Sequence, residues 1–317
     1  MAVALMDIWS GVVCSNYEDE RVKVASALIL CKMAKTNEAL LGSILKGVYV
    51  RFAKSAKSVS IHNVAVVNFM LNSMLEVYRI NPVLSYHYGF LFIRQLALSV
   101  RCLYSTGLAS ELREKQVKKV LSWQFLYCLK FWSKFVSLSA TKSEPQSSSS
   151  CDIIGQLTYP IVQICVCILN AGQRTKQQYF PYFLHIIRLL NELAIGRNVF
   201  VGIFNYAFSI IQSMNSNHAL TKSDNLKPID FGITLKVSKQ FVNSRLYFDL
   251  LLEECTIAIL ESFSVPCLAQ SPGFVEYGEV VRGKLAKCIK SAKNPKVSKF
   301  LGEIVEIVKG NQSYIRQ

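Results

Sequence analysis

The sequence is poor in charged residues, and carboxylates are its scarcer charge. Asp, Glu, Lys and Arg make up 18% of the 317 residues, whereas hydrophobic residues make up 51%. This composition excludes general disorder, because disordered chains are polar and highly charged. It favours a chain that buries a large core in one large domain or two ordinary ones. The formal charge of +15 favours polyanions or acidic proteins as partners.

The motifs of common catalytic and cofactor sites are missing. The sequence contains no GxGxxG, no P-loop of the GKS or GKT type, no GxSxG and no HExxH. The four histidines lie far apart, and none has a Cys or a carboxylate at metal-ligand spacing. We therefore expect no cofactor, no metal, no small-molecule substrate and no enzymatic activity.

The cysteines and the N-terminus both argue against export. The ten cysteines include no CxxC, and Cys165 and Cys167 are the only close pair. Scattered cysteines of this kind are typical of buried free thiols in a reducing compartment. The first ten residues contain Asp7 but no Lys or Arg, so they lack the basic region of a secretory signal.

Two stretches without formal charge, residues 153–173 and 199–221, are long enough to cross a membrane. In the first, Gln156, Gln163 and Asn170 recur every seven residues, and the second holds several amides. Amides without partners are costly in hydrocarbon, so the pattern favours amphipathic helices and no membrane contact. The alternative that stays open is a membrane protein with several spans, and this alternative predicts that the chain is soluble only in detergent.

Apolar residues recur at the helical period along most of the chain, and the strand signal is almost absent. The predicted helical blocks are 21–35, 37–53, 63–79, 83–104, 111–138, 153–170, 181–195, 199–214, 244–263, 274–290 and 295–309. Asn81-Pro82 separates two blocks. Asn294 is expected to cap the helix that starts at Pro295, and Gly310 to end it.

Two segments depart from this pattern. Residues 141–152, with four consecutive serines, predict a flexible loop between an N-terminal helical half, 1–140, and a C-terminal half, 153–317. Residues 215–243 predict an extended arm, because Ile233, Leu235 and Val237 alternate with polar residues. We predict an all-α fold, namely an irregular α-solenoid of stacked antiparallel helices that resembles armadillo or HEAT proteins. The two halves form either separate units or one continuous solenoid. A globular helical bundle is the rival.

A basic run near the C-terminus is the strongest electrostatic feature. No acidic residue interrupts it between Glu279 and Glu303. Its cations are Arg282, Lys284, Lys287, Lys290, Lys293, Lys296 and Lys299. Three interpretations are open: a solvated face, contact with an RNA backbone, or an acidic protein partner. Lys236 and Lys239 on the arm are added to these candidate contacts.

One polar stripe within the block 181–195 has two interpretations. His185, Arg188 and Glu192 share a helix face. They form either a simple stripe with an Arg188–Glu192 pair or a face that docks a partner.

Several ordered segments resemble the nucleolar complex protein 2 family. The central one runs from Ile80-Asn81-Pro82 through Leu84-Ser85-Tyr86-His87-Tyr88 to Phe92-Ile93-Arg94-Gln95-Leu96-Ala97. The others are Ser122-Trp123-Gln124-Phe125 with Trp132, Leu157-Thr158-Tyr159-Pro160, Tyr179-Phe180-Pro181, Lys227-Pro228-Ile229-Asp230-Phe231, and Arg245 to Glu254. The resemblance covers most of the chain, from about Ile44 to Ile315.

The resemblance implies a non-catalytic scaffold in biogenesis of the large (60S) ribosomal subunit. It implies partners among other nucleolar complex proteins on pre-ribosomal particles, contact with pre-rRNA, and a place in the nucleus, nucleolus and nucleoplasm. Family members usually carry a long charged N-terminal extension and a C-terminal tail, and a fragment and a short paralogue both fit the present sequence. The helical pattern alone equally permits a helical-repeat adaptor of the transport or karyopherin type.

Overall fold

The computed structural model describes residues 2–10, 20–104, 110–140, 153–172, 177–215, 229–292 and 294–316. Over these ranges the chain forms α-helices, two 3₁₀ turns and no β-strand, which confirms the all-α prediction. The helices are α1 (Ala2–Trp9), α2 (Glu20–Thr36), α3 (Glu38–Ser55), α4 (Val64–Tyr78), α5 (Pro82–Tyr104), α6 (Ser110–Val120), α7 (Trp123–Ala140), α8 (Thr158–Gly172), α9 (Phe180–Arg197), α10 (Phe204–Asn215), α11 (Lys239–Val242), α12 (Arg245–Phe263), α13 (Pro266–Ala269), α14 (Gly273–Ser291) and α15 (Pro295–Arg316). The 3₁₀ turns are Ile154–Leu157 and Gln177–Tyr179.

The chain divides into two compact units, Met1–Ile164 and Cys165–Gln317. The boundary falls within α8. The Ser-rich segment 141–152 lies outside the described residues, so the predicted division there stays a prediction. The stacking of all the helices into a solenoid also stays a prediction.

An aromatic cluster forms the core of unit 1. Trp132 of α7 is fully buried at its centre. Its ring centroid lies 4.7–6.3 Å from those of Tyr49, Tyr78, Phe92, Phe131 and Phe135. The Tyr78 hydroxyl donates to the carbonyl of Leu45 at 3.0 Å, which satisfies the polar end of a buried ring. Burial raises the pKa values of Tyr49 and Tyr78 well above the usual range, so both phenols stay protonated.

Helix α5 approaches this core through its smallest side chains. A Cβ at Gly89 would lie 3.0 Å from Cζ3 of Trp132 and 3.1 Å from Cδ1 of Leu157. Ser85, one turn earlier, donates its hydroxyl to the carbonyl of Tyr78 at 2.6 Å. Asn81 accepts a hydrogen bond from the amide of Leu84 at 3.0 Å, which caps the start of α5. These contacts fix which face of α5 points inward.

Unit 2 is built around α9 and α12. Helix α9 has twelve buried residues, among them Asn191. The amide nitrogen of Asn191 donates to the carbonyl of Ala258 at 2.9 Å, which joins the two helices. The hydroxyl of Ser244 accepts from the amide of Tyr247 at 3.2 Å and caps α12. The Tyr247 hydroxyl donates to the carbonyl of Gln177 at 3.0 Å.

Several predicted helix bounds are wrong for identifiable reasons. The block 111–138 is two helices, because α7 starts anew where the hydroxyl of Ser122 accepts from the amide of Phe125. The block 199–214 begins only at Phe204, since Asn198 adopts the left-handed conformation that ends α9. Helix α15 continues through Gly310 to Arg316. The sequence pattern did not predict α1, α11 and α13.

Residues 229–243 and residue 215 are the described part of the predicted arm: 229–238 are not helical, whereas 215 ends α10 and 239–242 form α11, so the predicted bounds of the arm are too wide. Residues 231–233 form a turn in which the Asp230 carboxylate accepts from the amide of Gly232 at 2.7 Å. Beyond the turn, Leu235 and Val237 are buried while Lys236 is exposed, as predicted, whereas Ile233 lies in the turn and is only half-buried. Residues 216–228 of the arm lie outside the described residues.

One segment of the described chain, Ile154–Gly172, is long and apolar enough to cross a membrane by length and composition alone. A core helix of a soluble protein passes the same test. Leu157, Ile161 and Ile168 of this segment are buried inside the protein. In the second uncharged stretch, α10 has 12 residues and is about 18 Å long, less than the roughly 30 Å of a bilayer core.

Candidate interaction surfaces

Helices α14 and α15 form an antiparallel hairpin that carries the basic run. Val281 and Leu285 of α14 and Leu301 and Ile304 of α15 are buried along it. The side-chain amide of Gln312 donates to the carbonyl of Val275 at 2.7 Å, so the end of α15 lies beside the start of α14. This pairing brings the last turn of α14 and the first turn of α15 together at the connection, residues 292–294.

Three lysines near this connection are exposed to solvent. Lys287 and Lys290 lie in the last turns of α14, and Lys299 lies in the first turns of α15. Among the described residues none of the three has a hydrogen-bond or ion-pair partner. We call Lys287, Lys290 and Lys299 the basic end of the hairpin. Lys293, in the connection, lies outside the residues that the structure describes.

The other three predicted cations of the run make contacts within unit 2. Arg282 donates to Glu279 at 3.0 Å and to Gln312 at 3.1 Å. Lys284 donates to the side chain of Asn205 on α10 at 2.7 Å.

Lys296 forms an ion pair with Asp249 of α12. Unlike the lysines of the basic end, these three cations help to hold the hairpin in place. A partly exposed pair of this kind contributes only modestly to stability.

The N-terminus of α15 adds to the positive field of the basic end. The Asn294 side chain accepts from the amide of Lys296 at 3.0 Å, which confirms the predicted cap. The peptide dipoles aligned along α15 give this helix N-terminus a partial positive charge.

The two lysines predicted on the arm differ in their surroundings. Nζ of Lys236 lies 5.2 Å from the ring centroid of Tyr179, a cation–π contact that ties the arm to the second 3₁₀ turn. The amide of Val237 also donates to the carbonyl of Gln178 at 2.9 Å. Lys239 starts α11 and is exposed, with no partner in the described part of the chain.

The polar stripe on α9 is used mainly inside unit 2. Arg188 forms an ion pair with Glu254 of α12, and both side chains are partly buried. Asn191, on the same side of α9, also donates to Glu261 at 3.1 Å. The stripe therefore helps to pack α9 against α12.

Two glycines of α14 predict opposite effects on hairpin stability. A Cβ at Gly278 would lie 2.7 Å from Nε2 of Gln312 and 3.0 Å from Cγ1 of Val308, whereas a Cβ at Gly283 would meet no atom within 4 Å. We expect Gly278→Ala to lower the free energy of unfolding by about 1–3 kcal/mol, because the added methyl group crowds Val308 and displaces the Gln312 side chain from its hydrogen bond with Val275.

The matched control, Gly283→Ala, is expected to raise the same quantity by about 0.5–1 kcal/mol, because alanine is the better helix former. Urea denaturation followed by circular dichroism measures both effects. Equal shifts of one sign would contradict the tight packing of α14 on α15 at Gly278.

Four of the eight described cysteines, namely Cys128, Cys165, Cys255 and Cys288, are buried. All eight described cysteines are free thiols. Burial raises the pKa of Cys128 to about 11, so this thiol remains protonated and unreactive at neutral pH. No group of three or more His, Cys, Asp or Glu side chains within the described ranges could hold a metal ion.

The model of the Noc2p family matches residues 39–317. The chain belongs to the Noc2p family. It is 25% identical over 315 residues to an uncharacterised NOC2 family protein of Schizosaccharomyces pombe, an alignment that covers 99% of this chain and 42% of the relative. It is 26% identical over 305 residues to nucleolar complex protein 2 of Drosophila melanogaster, an alignment that covers 94% of this chain and 37% of the relative.

Nucleolar complex-associated protein 2 of Arabidopsis thaliana is 24% identical over 275 residues, covering 86% of this chain and 33% of the relative. The chain thus spans about two fifths or less of the length of these relatives. The Noc2p family is a family of nucleolar proteins and is not a known enzyme family.

The family-like segments of this Noc2p chain serve two different purposes. Ser85, Gly89 and Trp132 build the core of unit 1. Arg94, in the same central segment, is exposed. The sequence alone does not distinguish the core residues from the exposed ones, because buried and exposed residues alternate within one helix.

Proposed function

We propose that this Noc2p-family chain is a non-catalytic scaffold in the assembly of the large (60S) ribosomal subunit. It binds other nucleolar complex proteins on pre-ribosomal particles in the nucleolus and nucleoplasm, and it contacts pre-rRNA through the basic end of the hairpin. The membership of the family supports the assembly role. The observation that supports the RNA contact is the set of three exposed lysines, without partners among the described residues, at one end of the packed α14–α15 hairpin.

The chemistry of the basic end suits phosphate groups. Lysines that lack carboxylate partners repel one another, and a polyanion that neutralises them releases counterions and gains free energy. The N-terminus of α15 lies at the same end of the hairpin and adds a partial positive charge there. Aromatic side chains are scarce within the run itself, so the RNA backbone is a better ligand than stacked bases.

A triple substitution of the basic end tests the RNA contact. We expect Lys287→Gln, Lys290→Gln and Lys299→Gln together to weaken binding to a large-subunit pre-rRNA fragment. The slope of log affinity against log salt concentration is expected to become shallower by about 2–3, because each lysine that meets a phosphate contributes about 0.7–1. Filter binding between low and moderate salt measures this slope.

The matched control changes three exposed lysines of unit 1, Lys32, Lys54 and Lys57, to Gln. It removes the same formal charge from surfaces for which no RNA contact is proposed. The proposal requires the control to retain most of the wild-type slope. If the two triple variants lose the same slope, RNA responds to net charge rather than to the basic end, and the proposed contact is wrong.

The proposed protein partners have their own test. Affinity purification of the tagged chain is expected to recover other nucleolar complex proteins together with large-subunit pre-rRNA. Recovery of transport factors or cargo without either would instead support an adaptor of the transport type.

A further inference from the structure

Helix α5 leaves most of its outward face uncovered. Only four of its 23 residues are buried. Besides Tyr104 at its end, α5 has four large apolar side chains that are 41–62% exposed, namely Val83, Phe90, Leu91 and Leu98. Single exposed apolar residues are ordinary on soluble proteins, but a row of them along one helix is typical of an interaction surface.

Seven of the exposed residues of α5 form three parallel rows, each with seven-residue spacing. Leu91 and Leu98 form one row, and Val83 and Phe90 form another. His87, Arg94 and Arg101 lie between these apolar rows, because successive helix residues are rotated by 100°. We call these seven residues the heptad face, and it runs for about 27 Å from Val83 to Arg101.

The charge of the heptad face is uncompensated. Helix α5 contains no Asp or Glu. Arg94 and Arg101 are exposed, and neither has a hydrogen-bond or ion-pair partner among the described residues. Two arginines between apolar rows would be costly to cover with an apolar surface, because a desolvated charge needs a partner. A suitable partner must supply carboxylates at the same spacing.

We infer that the heptad face binds an amphipathic helix of another protein, one that carries Glu or Asp every seven residues between apolar side chains. This inference deepens the proposed scaffold function and rests on it. The apolar rows supply the buried area, while bidentate Arg–carboxylate pairs select the partner and its register. The aliphatic stems of the arginines pack against the partner as well.

Charge complementarity favours this occupant over two others. A second copy of α5 would place arginines against arginines, with no carboxylate on either helix, and like charges facing each other are destabilising. An RNA would satisfy the arginines. It would leave the leucine row without a partner, because protein–nucleic acid interfaces are polar.

The test uses the full chain and a synthetic helical peptide of about three heptads. The peptide carries a Glu every seven residues between leucines, and a matched peptide has Lys in place of each Glu. We expect the Glu peptide to bind at least about tenfold more tightly than the Lys peptide in fluorescence anisotropy. The double substitution Leu91→Gln and Leu98→Gln is expected to lower the affinity of the chain for the Glu peptide by about tenfold or more.

The decisive variant is Arg94→Glu with Arg101→Glu, which is expected to reverse the preference so that the Lys peptide binds more tightly. All these side chains are exposed, so the variants should keep the wild-type circular dichroism spectrum. The triple lysine variant of the basic end is expected to bind the Glu peptide as the wild type does.

Four outcomes would overturn the inference. One is an unchanged preference after the arginine substitutions, and another is a loss of peptide binding in the basic-end variant. A third is a concentration-dependent dimer that the leucine substitutions abolish, because the face would then bind a second copy. The fourth is loss of pre-rRNA binding in the arginine variant, which would make the face an RNA surface. If the peptide results fail while the basic end still binds pre-rRNA, only the heptad-face inference falls.

Discussion

Replacement of Trp132 by alanine is expected to lower the free energy of unfolding of unit 1 by about 3–5 kcal/mol. The indole lies at the centre of the aromatic cluster and is 0% exposed, so its removal leaves a large cavity. The substitution also removes the ring that Gly89 of α5 faces. The loss should therefore loosen α5 as well as α7.

Urea denaturation measures this effect, and amide hydrogen exchange of α5 locates it. Trp123→Ala is the matched control, because it deletes the same side chain from a half-buried position at the start of the same helix. We expect the control to cost less than half as much as Trp132→Ala. Equal losses would contradict the central position of Trp132 in the core.

The course of the helices could be read from the sequence because it depends on local chemistry. The helical period of apolar residues predicted ten of the helices from α2 to α15 one by one, and merged α6 with α7. Asn294 was predicted to cap α15, and its side chain does accept a hydrogen bond in the first turn of that helix. A capping side chain acts on amides two or three residues away, so the signal is contained in a few adjacent letters.

The end of α15 could not be predicted because it depends on a distant helix. Gly310 is a reasonable helix terminator in an isolated segment. In the folded chain Val308 and Gln312 are buried against α14, and the side chain of Gln312 donates to the carbonyl of Val275. Tertiary contacts of this kind override a weak local preference.

The candidate sites show the same limit. The basic run is visible in the sequence as a series of cations without carboxylates. Its contacts are not visible there, because Lys296 pairs with Asp249, 47 positions away, and Lys284 donates to Asn205, 79 positions away. Arg188 likewise pairs with Glu254 on another helix. The seven-residue spacing on α5 is visible in the sequence. Its exposure is not, because Ser85, Gly89 and Ile93 on the same helix face the core.

The largest change in what binds to the chain is expected when the tagged chain is affinity-purified from the cells that make it. A scaffold of the large subunit should carry its partners with it, because proteins and RNA that share one particle are recovered together. The basic-end triple variant is expected to lose most of the pre-rRNA that it contacts directly, provided that the purification is washed at moderate salt. The Arg94→Glu, Arg101→Glu variant is expected to lose the protein bound to the heptad face and to keep direct RNA contact.

This purification, with the bound RNA sequenced and the bound proteins identified, tests the central claim that the chain is a scaffold of large-subunit assembly. The proposed function predicts large-subunit pre-rRNA and other nucleolar complex proteins together, at levels well above those from an untagged control. Recovery of transport factors or cargo, with neither pre-rRNA nor a nucleolar complex protein, would contradict it.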